Sequence, residues 1–186
     1  MLLTDSHALS LLNKHIKNEK MIQHCLASQA VLKAIAVRLG QNEAQYGLAG
    51  LLHDIDVEFT NADSLTHGPV GAGWLAELGV DAEVVDAIGM HNEMATNIPR
   101  TTLFQHALAA GETITGLVTA TALVYPDRKL ASVKTKSVVK RMKEKAFAAS
   151  VNRETIMECE KIGIPIDEFA ELAIQAMLGI HEDLGL

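Results

Sequence analysis

The chain has 186 residues, a formal net charge of −7 and only 4% aromatic residues. This length allows one domain with a sizeable core, predicted over residues 1–186, and the acidic balance argues against general nucleic-acid binding. No segment approaches the roughly 20 apolar residues of a membrane span, and no signal-peptide pattern opens the chain, so we expect no membrane partner.

Composition predicts an all-α fold, because Ala, Leu, Met, Glu and Lys dominate the long segments. The two cysteines, Cys25 and Cys159, lie far apart on segments with helical patterns. We expect both to be reduced thiols, as is typical of a cytoplasmic protein. The amino-acid sequence does not predict an oligomeric state.

Hydrophobic periodicity and helix-end signals predict about eight to nine helices. Gly40 and Gly79 are suited to helix ends, Pro69 to a first turn, Asp81 and Asn152 to caps, and Pro126 to a stop. Loops are expected at 60–65 and 92–100. The predicted helices cover residues 4–17, 19–39, 42–52, 69–79, 81–91, 101–124, 132–147, 153–162 and 168–180.

An imidazole and a carboxylate, His53 and Asp54, stand side by side at the end of the third predicted helix, and Asp56 follows two residues later. Such a cluster can bind a divalent cation. A His-Asp pair is common by chance, however, so its meaning depends on whether the rest of the chain supplies partners.

Two candidate partners lie on the inward stripes of long helices. His24 shares a stripe with apolar residues of the second helix, where a lone histidine is more often a hydrogen-bonded core residue. Glu112 shares a stripe with Leu108 and Thr115, and an unpaired carboxylate there would be costly to bury. Glu112 therefore requires a cation, a hydrogen-bond network or a route to water, and the threonine leaves a solvated face open.

His67 stands just before one helix and His91 near the end of another. Together with the residues above they form a nitrogen and oxygen ligand set suited to zinc, iron, manganese and related divalent metals. The alternative is a network of hydrogen-bonded core histidines. The other four histidines carry less information: His7, His15, His106 and His181.

The ordered pattern of His24, His53-Asp54, His67-Gly68-Pro69, His91-Asn92 and a late acid in an Ala/Gly-rich helix resembles the HD superfamily of metal-dependent phosphohydrolases. It is most similar to small bacterial members of the HDIG type that are predicted hydrolases. The resemblance implies an HD-type helical bundle with a central metal site. It further implies a motif-bearing core at about 20–125, with C-terminal helices at about 132–184 packed on it.

The resemblance also implies ligand roles. His24, His53, Asp54 and Glu112 would bind a first divalent metal ion (Mn, Fe, Zn, Ni or Mg), while His67 and His91 would bind a second ion or the substrate phosphate. The family's last ligand is ordinarily Asp rather than Glu. Asp56 and Val57 replace a glycine and a lysine that many members carry. His91-Asn92 replaces the double histidine of the cyclic-dinucleotide branch, so hydrolysis of cyclic di-GMP is not implied.

The implied chemistry is hydrolysis of a phosphomonoester or phosphodiester in a small phosphate compound such as a nucleotide, by metal-activated water. The catalytic candidates are His53, Asp54 and Asp56. Asp56 or Glu58 would orient water or act as a base, although a solvated loop acid is the more common role for each. The run from His67 to Ala72 also resembles bacterial diadenosine tetraphosphate hydrolases with an HD domain.

Eight basic residues and one acid, Glu144, lie between Arg128 and Lys145. This basic segment could supply cations to a phosphate ester, but an ordinary solvated helix face is the favoured interpretation. Two other functional classes stay open. One is a regulatory module that binds metal or nucleotide with little or no turnover, and the other is a purely structural helical module.

Overall fold

Eleven α-helices and no β-strand are found in the computed structural model, which describes residues 2–186. The predicted all-α class is confirmed. Two four-residue helices that were not predicted, Glu93–Thr96 and His181–Leu184, account for the excess over the eight to nine expected. The helices are α1 Asp5–His15, α2 Glu19–Leu39, α3 Glu43–Leu52, α4 Pro69–Glu77, α5 Ala82–His91, α6 Glu93–Thr96, α7 Leu103–Leu123, α8 Thr135–Arg141, α9 Arg153–Ile156, α10 Ile166–Leu178 and α11 His181–Leu184.

Helix-end signals bound the helices that carry the candidate site, and two of them, Gly40 and Asp81, were predicted from the sequence. Asn18 caps α2 by accepting hydrogen bonds from backbone N–H groups, and Asn42 does the same for α3. Gly40 ends α2 in the left-handed conformation, with φ of 65°. Asp81 caps α5, and Thr102 forms a capping box at the start of α7.

The two longest helices, α2 and α7, pack against each other at the centre, with α3 against α2 and α5 against α7. Gly111 of α7 allows this close packing, because a Cβ there would lie 2.6 Å from a methyl carbon of Leu32 and 2.9 Å from one of Ile35. α10 contacts α2 and α7, so C-terminal helices pack on the segment that carries the motifs.

The predicted helix at 132–147 is wrong in its extent. A 3₁₀ turn at Leu130–Ser132 is followed by α8, which ends at Arg141, and the chain then continues in turns. The guanidinium of Arg153 donates to the carbonyl oxygens of Ala148, Val151 and Phe147, and Ala148 adopts a left-handed φ of 44°. Side-chain donors therefore replace the hydrogen bonds that a longer helix would have made.

Smaller differences occur in two other segments. The predicted loop at 92–100 contains α6, because the Asn92 side chain accepts from Met94 N and starts one helical turn. The predicted helix at 153–162 is one α-helical turn, capped by Asn152 as expected, followed by a 3₁₀ helix at Met157–Ile162. Among the described residues no helix is both long enough and apolar enough to span a bilayer.

Candidate metal centre

His53 and Asp54 lie at the C-terminal end of α3, where this helix packs closely on α2. The approach depends on Gly50, since a Cβ there would lie 2.6 Å from the carbonyl oxygen of Ser28. Both residues are buried, with exposed fractions of 1% and 7%. The close contact brings the end of α3 beside the imidazole that α2 carries.

A first group of ligand atoms forms where α2, α3 and α7 meet. The Nε2 atoms of His24 and His53 are 3.1 Å apart, and a carboxylate oxygen of Glu112 lies 3.7 Å from His24 Nε2. All three ligand atoms fall within 4.8 Å of one another. One ion placed between them could contact all three side chains.

A second group consists of Asp54, His67 and His91. Asp54 Oδ1 lies 2.9 Å from His67 Nε2 and 3.5 Å from His91 Nε2, and the two Nε2 atoms are 3.2 Å apart. Gly68 permits this arrangement, because its φ is 100° and a Cβ there would lie 3.1 Å from His91 Cε1. The turn before α4 can therefore lie directly against the end of α5.

Asp54 connects the two groups. Its Oδ2 is 3.6 Å from His24 Nε2, and its Oδ1 is 3.4 Å from His53 Nε2. The carboxylate thus lies between two sets of imidazoles and could contact one ion through each oxygen. The structure brings together all six predicted ligands, and it does so in an arrangement with room for two ions.

Backbone carbonyls fix the orientation of two of the four rings. His53 Nδ1 lies 2.9 Å from the carbonyl oxygen of Gly50, and His91 Nδ1 lies 2.7 Å from that of Ile88. A carbonyl can only accept, so each Nδ1 carries the proton and donates it. The Nε2 of each ring is directed at the centre, where it offers a lone pair whenever the ring is neutral.

Side chains orient the other two rings. His24 Nδ1 is 3.0 Å from Thr115 Oγ1, whose own hydroxyl donates to the carbonyl oxygen of Glu112, so the ring donates to the threonine. His67 Nδ1 donates to Asp56 Oδ1 at 2.7 Å. Thr115 is 1% exposed, which rules out the solvated face considered for it. All four imidazoles present Nε2 to the centre.

The donor set fits divalent metal ions. Bonds of roughly 2.0–2.2 Å from a metal to nitrogen or oxygen place neighbouring ligand atoms roughly 3 to 3.5 Å apart. The Nε2 atoms of His24 and His53, 3.1 Å apart, match this spacing. When both rings are neutral, their lone pairs face each other across that distance, and a cation between them removes the repulsion. A hydrogen bond between these two Nε2 atoms would require one of the rings to carry a second proton.

Burial and the surrounding charges shift the pKa values in the site. Burial lowers the pKa of His53 to about 3, so this ring is neutral at neutral pH. Burial also lowers the pKa of His67, but the hydrogen bonds and charges of Asp54 and Asp56 outweigh it and raise the pKa to about 10. A metal ion at His67 Nε2 therefore has to displace a proton. Burial raises the pKa of Glu112.

Asp56, predicted as a catalytic residue, occupies a different position. It is fully buried, and its oxygens accept from His67 Nδ1 at 2.7 Å, from Gly68 N at 2.8 Å and from Gly71 N at 2.7 Å. A carboxylate with these donors has no oxygen directed at a water in the cavity. These contacts fit neither a catalytic base nor a solvated loop acid. They indicate instead that Asp56 holds the ring of His67 and the start of α4 in place.

Glu58, the other acid considered as a base, is also engaged elsewhere. Its Oε1 accepts from the backbone N–H groups of Lys17 at 2.8 Å and Asn18 at 2.7 Å, at the surface where α2 begins. Glu58 is not among the residues that line the cavity at the metal centre. Its contacts indicate a role in tying the turn after α3 to the start of α2.

A buried network beside the centre was missed by the sequence analysis. Arg100 donates to Glu158 through Nε at 2.9 Å and Nη2 at 2.6 Å, and His106 Nδ1 lies 2.6 Å from the same carboxylate. Arg100 Nη1 also donates to the carbonyl oxygen of His91 at 3.0 Å. Glu158 is 58 positions from Arg100 and 52 from His106, and no local pattern marks it as their partner.

The candidate metal centre forms the floor of an open cavity of about 650 Å³. Five residues between 92 and 100 line one wall, and four between 150 and 155 line the other. None of the basic residues from Arg128 to Lys145 lines this cavity. Several of them, including Lys136 and Lys140, lie beside a separate groove, as expected for a surface helix rather than for a phosphate site.

Comparison with known families identifies the fold. The HD domain family matches residues 21–120, which is more than half of the chain and includes all six ligand candidates. The chain belongs to the HD domain family. This match confirms the predicted superfamily. Members of the family are generally metal-dependent phosphohydrolases. Assignment of this HD domain to the HDIG-type subgroup stays a prediction.

One curated relative supports the same assignment. Ribonuclease Y 2 of Levilactobacillus brevis is 28% identical over 98 residues, which cover 53% of this chain and 18% of the relative. The chain thus spans less than a fifth of that protein's length. No solved structure gives a significant match.

Proposed function

We propose that this HD domain is a metal-dependent phosphohydrolase that acts on a small phosphate compound such as a nucleotide. The observation that carries the proposal is the convergence of four imidazole Nε2 atoms on Asp54. Each ring has its Nδ1 held by a separate acceptor. Such fixed orientation is typical of metal-binding histidines.

The ligand types favour a transition metal. Two ions fit the two groups, with His24, His53 and Glu112 at one ion, His67 and His91 at the other, and Asp54 between them. Imidazole ligands suit zinc, iron or nickel, whereas carboxylate oxygens suit manganese as well as magnesium, which prefers oxygen ligands alone. Divalent ions bound here would supply an activated water and charge stabilisation for a phosphoryl group.

The protein's own groups position these components. Thr115 and Asp56 hold the rings of His24 and His67 through their Nδ1 atoms. The Asn92 side chain donates to the carbonyl oxygens of Ser64 and His67, each at 2.9 Å, and so fixes the turn that carries His67. The open cavity admits a phosphate ester to the ligand atoms. No protein nucleophile is required.

Two features favour a second candidate, a regulatory module that binds metal or nucleotide with weak or no turnover. Glu112 stands where an Asp is usual, and burial raises its pKa, so a neutral carboxyl group is easier to form there. Val57 takes the position of a lysine that many HD sequences carry. A structural module without metal is the third hypothesis.

Metal content separates these hypotheses. We expect about one or two equivalents of transition metal in protein purified without chelator, and the loss of at least one equivalent in Asp54→Ala, because that side chain touches both groups. Elemental analysis measures this. Asp183→Ala removes an exposed carboxylate in α11 and serves as the matched control with the parental metal content.

Turnover is then measured on phosphomonoesters and phosphodiesters with Mn, Fe, Zn, Ni and Mg in turn. We expect metal-dependent hydrolysis that falls by about 100-fold or more in His53→Ala and Asp54→Ala. Bound metal without hydrolysis of any substrate would favour the regulatory module. Protein that takes up none of these metals would contradict the hydrolase and leave a helical module that binds nucleotide without metal or is purely structural.

A further inference from the structure

The cavity above the metal centre contains few positive charges. Among its lining residues the only lysine or arginine is Arg100, whereas the carboxylates include Asp54, Glu112 and Glu93. Glu93 lies on the wall rather than on the floor, with 48% of its side chain exposed. Apart from bound metal ions, a phosphate entering this cavity therefore meets more negative than positive charge.

Each of the three guanidinium nitrogens of Arg100 already donates to a protein acceptor, so this side chain has little to offer a phosphate. Nε and Nη2 donate to Glu158, at 2.9 Å and 2.6 Å, and Nη2 also lies 3.1 Å from an oxygen of Glu93 in an ion pair. Nη1 donates to the carbonyl oxygens of Met90 at 3.3 Å and His91 at 3.0 Å. A phosphate could recruit this guanidinium only by breaking a buried ion pair.

The walls away from the metal ligands are mostly neutral and polar. Asn97, Ser150, Asn152 and Thr155 supply amide and hydroxyl groups, and Met94, 66% exposed, supplies an apolar surface. Such groups suit the hydroxyl-bearing and apolar parts of an organic ester. They provide no cation for a second phosphate placed outward from the floor.

We propose that this cavity selects esters with a single phosphate group attached to a neutral, polar organic part, and that it discriminates against compounds with a chain of two or more phosphates. Metal ions held by the ligand residues at the floor would neutralise one phosphate. A further phosphate would lie beside Glu93 and the neutral walls. The proposal rests on the proposed function, since it assumes that the phosphate is bound at the metal centre.

The test compares adenosine mono-, di- and triphosphate, which differ only in the number of phosphates. Binding to the metal-loaded full chain is measured by equilibrium dialysis, with protein-bound metal determined afterwards because polyphosphates chelate metal. We expect the dissociation constant of the monophosphate to be at least about 10-fold lower than those of the other two, because like charges placed together oppose binding. Turnover is measured in parallel.

A charge-adding variant tests the cause. Thr155→Lys places a cation on the wall. We expect it to lower the ratio of the dissociation constant of the di- or triphosphate to that of the monophosphate by about 3-fold or more. Ser10→Lys adds the same charge on the exposed face of α1, outside the cavity, and is expected to leave the preference unchanged.

The outcomes for the two proposals are distinguishable. Failure to hydrolyse any phosphate ester would overturn the proposed function, and the inference would then be judged on binding alone. Di- or triphosphate that binds as tightly as the monophosphate, with the metal retained, would overturn the inference. Tight binding of a short single-stranded RNA would overturn it as well, because RNA carries a phosphate at every nucleotide.

Discussion

Asp56 illustrates how one buried residue can orient a candidate metal ligand, His67, by bonding to the far side of its ring. Burial raises the pKa of Asp56, but the hydrogen bond from His67 and those from Gly71 and Gly68 outweigh it and lower the pKa. The residue is therefore a carboxylate at neutral pH. It fixes the ring of His67 and, through the two glycine N–H groups, the first turn of α4.

Asp56→Asn is expected to weaken metal binding and to destabilise the fold. The amide keeps one acceptor oxygen but turns its NH₂ group towards a donor. We expect metal affinity to fall by about 10- to 100-fold and the free energy of unfolding to fall by about 2 kcal/mol. Metal competition with a chromophoric chelator and urea denaturation measure these two quantities.

Asp81→Asn provides the control, because Asp and Asn are equally good helix caps and Asp81 caps α5 away from the centre. It should change the free energy of unfolding by less than about 0.5 kcal/mol. Unchanged metal affinity in Asp56→Asn would show that the orientation of His67 does not depend on this carboxylate.

Among the helices, the contact between α3 and α2 decides whether the two halves of the first ligand group meet. Gly50 lies against the backbone of Ser28 and Gln29, and its carbonyl oxygen accepts from His53 Nδ1. A backbone neighbour cannot move aside as the end of a flexible side chain can. The absence of a side chain at Gly50 therefore sets the distance between the helices and the position of His53.

Gly50→Ala is expected to lower the free energy of unfolding by at least about 2 kcal/mol, because the added methyl group meets a fixed carbonyl. It should also reduce metal content. Gly73→Ala is the matched control, since Gly73 lies in α4 with nothing within 4 Å of an added Cβ. There the substitution should stabilise the helix by about 0.5 to 1 kcal/mol. Urea denaturation of both variants measures the two changes in the free energy of unfolding.

Equal stability changes in the two variants would contradict this account of the α2 and α3 contact. A Gly50→Ala protein with normal metal content would show that the helix end can adjust without loss of the first ligand group.

At the scale of the whole molecule, the centre is assembled from distant parts of the chain. Its ligands come from α2, α3, α5, α7 and the turn before α4. A second set of contacts lies beside this centre. Glu158, in the 3₁₀ helix Met157–Ile162, pairs with Arg100 and with His106 of α7. The C-terminal part of the chain is thereby linked to the wall of the cavity.

This link predicts a pH-dependent contribution to stability. Burial raises the pKa of Glu158, but hydrogen bonds from Arg100 and His106 outweigh it and lower the pKa below its usual value. The stabilisation is therefore fully present above the unfolded pKa of about 4.3 and is lost as the pH falls through the lower folded value. Glu158→Gln should reduce the free energy of unfolding by about 3 kcal/mol at pH 7.

Urea denaturation at pH 7 and below pH 4 tests this prediction, and the difference between the parent and Glu158→Gln should shrink at the lower pH. Glu154→Gln neutralises an exposed carboxylate of α9 and should have little effect at either pH. A deficit in Glu158→Gln that stays constant with pH would mean that the ionised carboxylate is not the stabilising form.

Sequence alone determined the helical class, the bounds of the long helices and the identities of the six ligand candidates. The helical features depend on local patterns, namely helix periodicity and caps such as Asp81, because a cap or an apolar stripe acts within a few residues of itself. The six ligand candidates were chosen from their residue types and from the order His24, His53, Asp54, His67, His91 and Glu112, which resembles that of the HD superfamily.

Tertiary structure alone decided how those residues are used. It placed Asp54 between two ligand groups and Asp56 behind His67, and it ended α8 early through the guanidinium of Arg153. It also paired Arg100 with Glu158, 58 positions along the chain. Such contacts depend on how packed helices meet, and no local pattern specifies which distant carboxylate or carbonyl a buried donor will find.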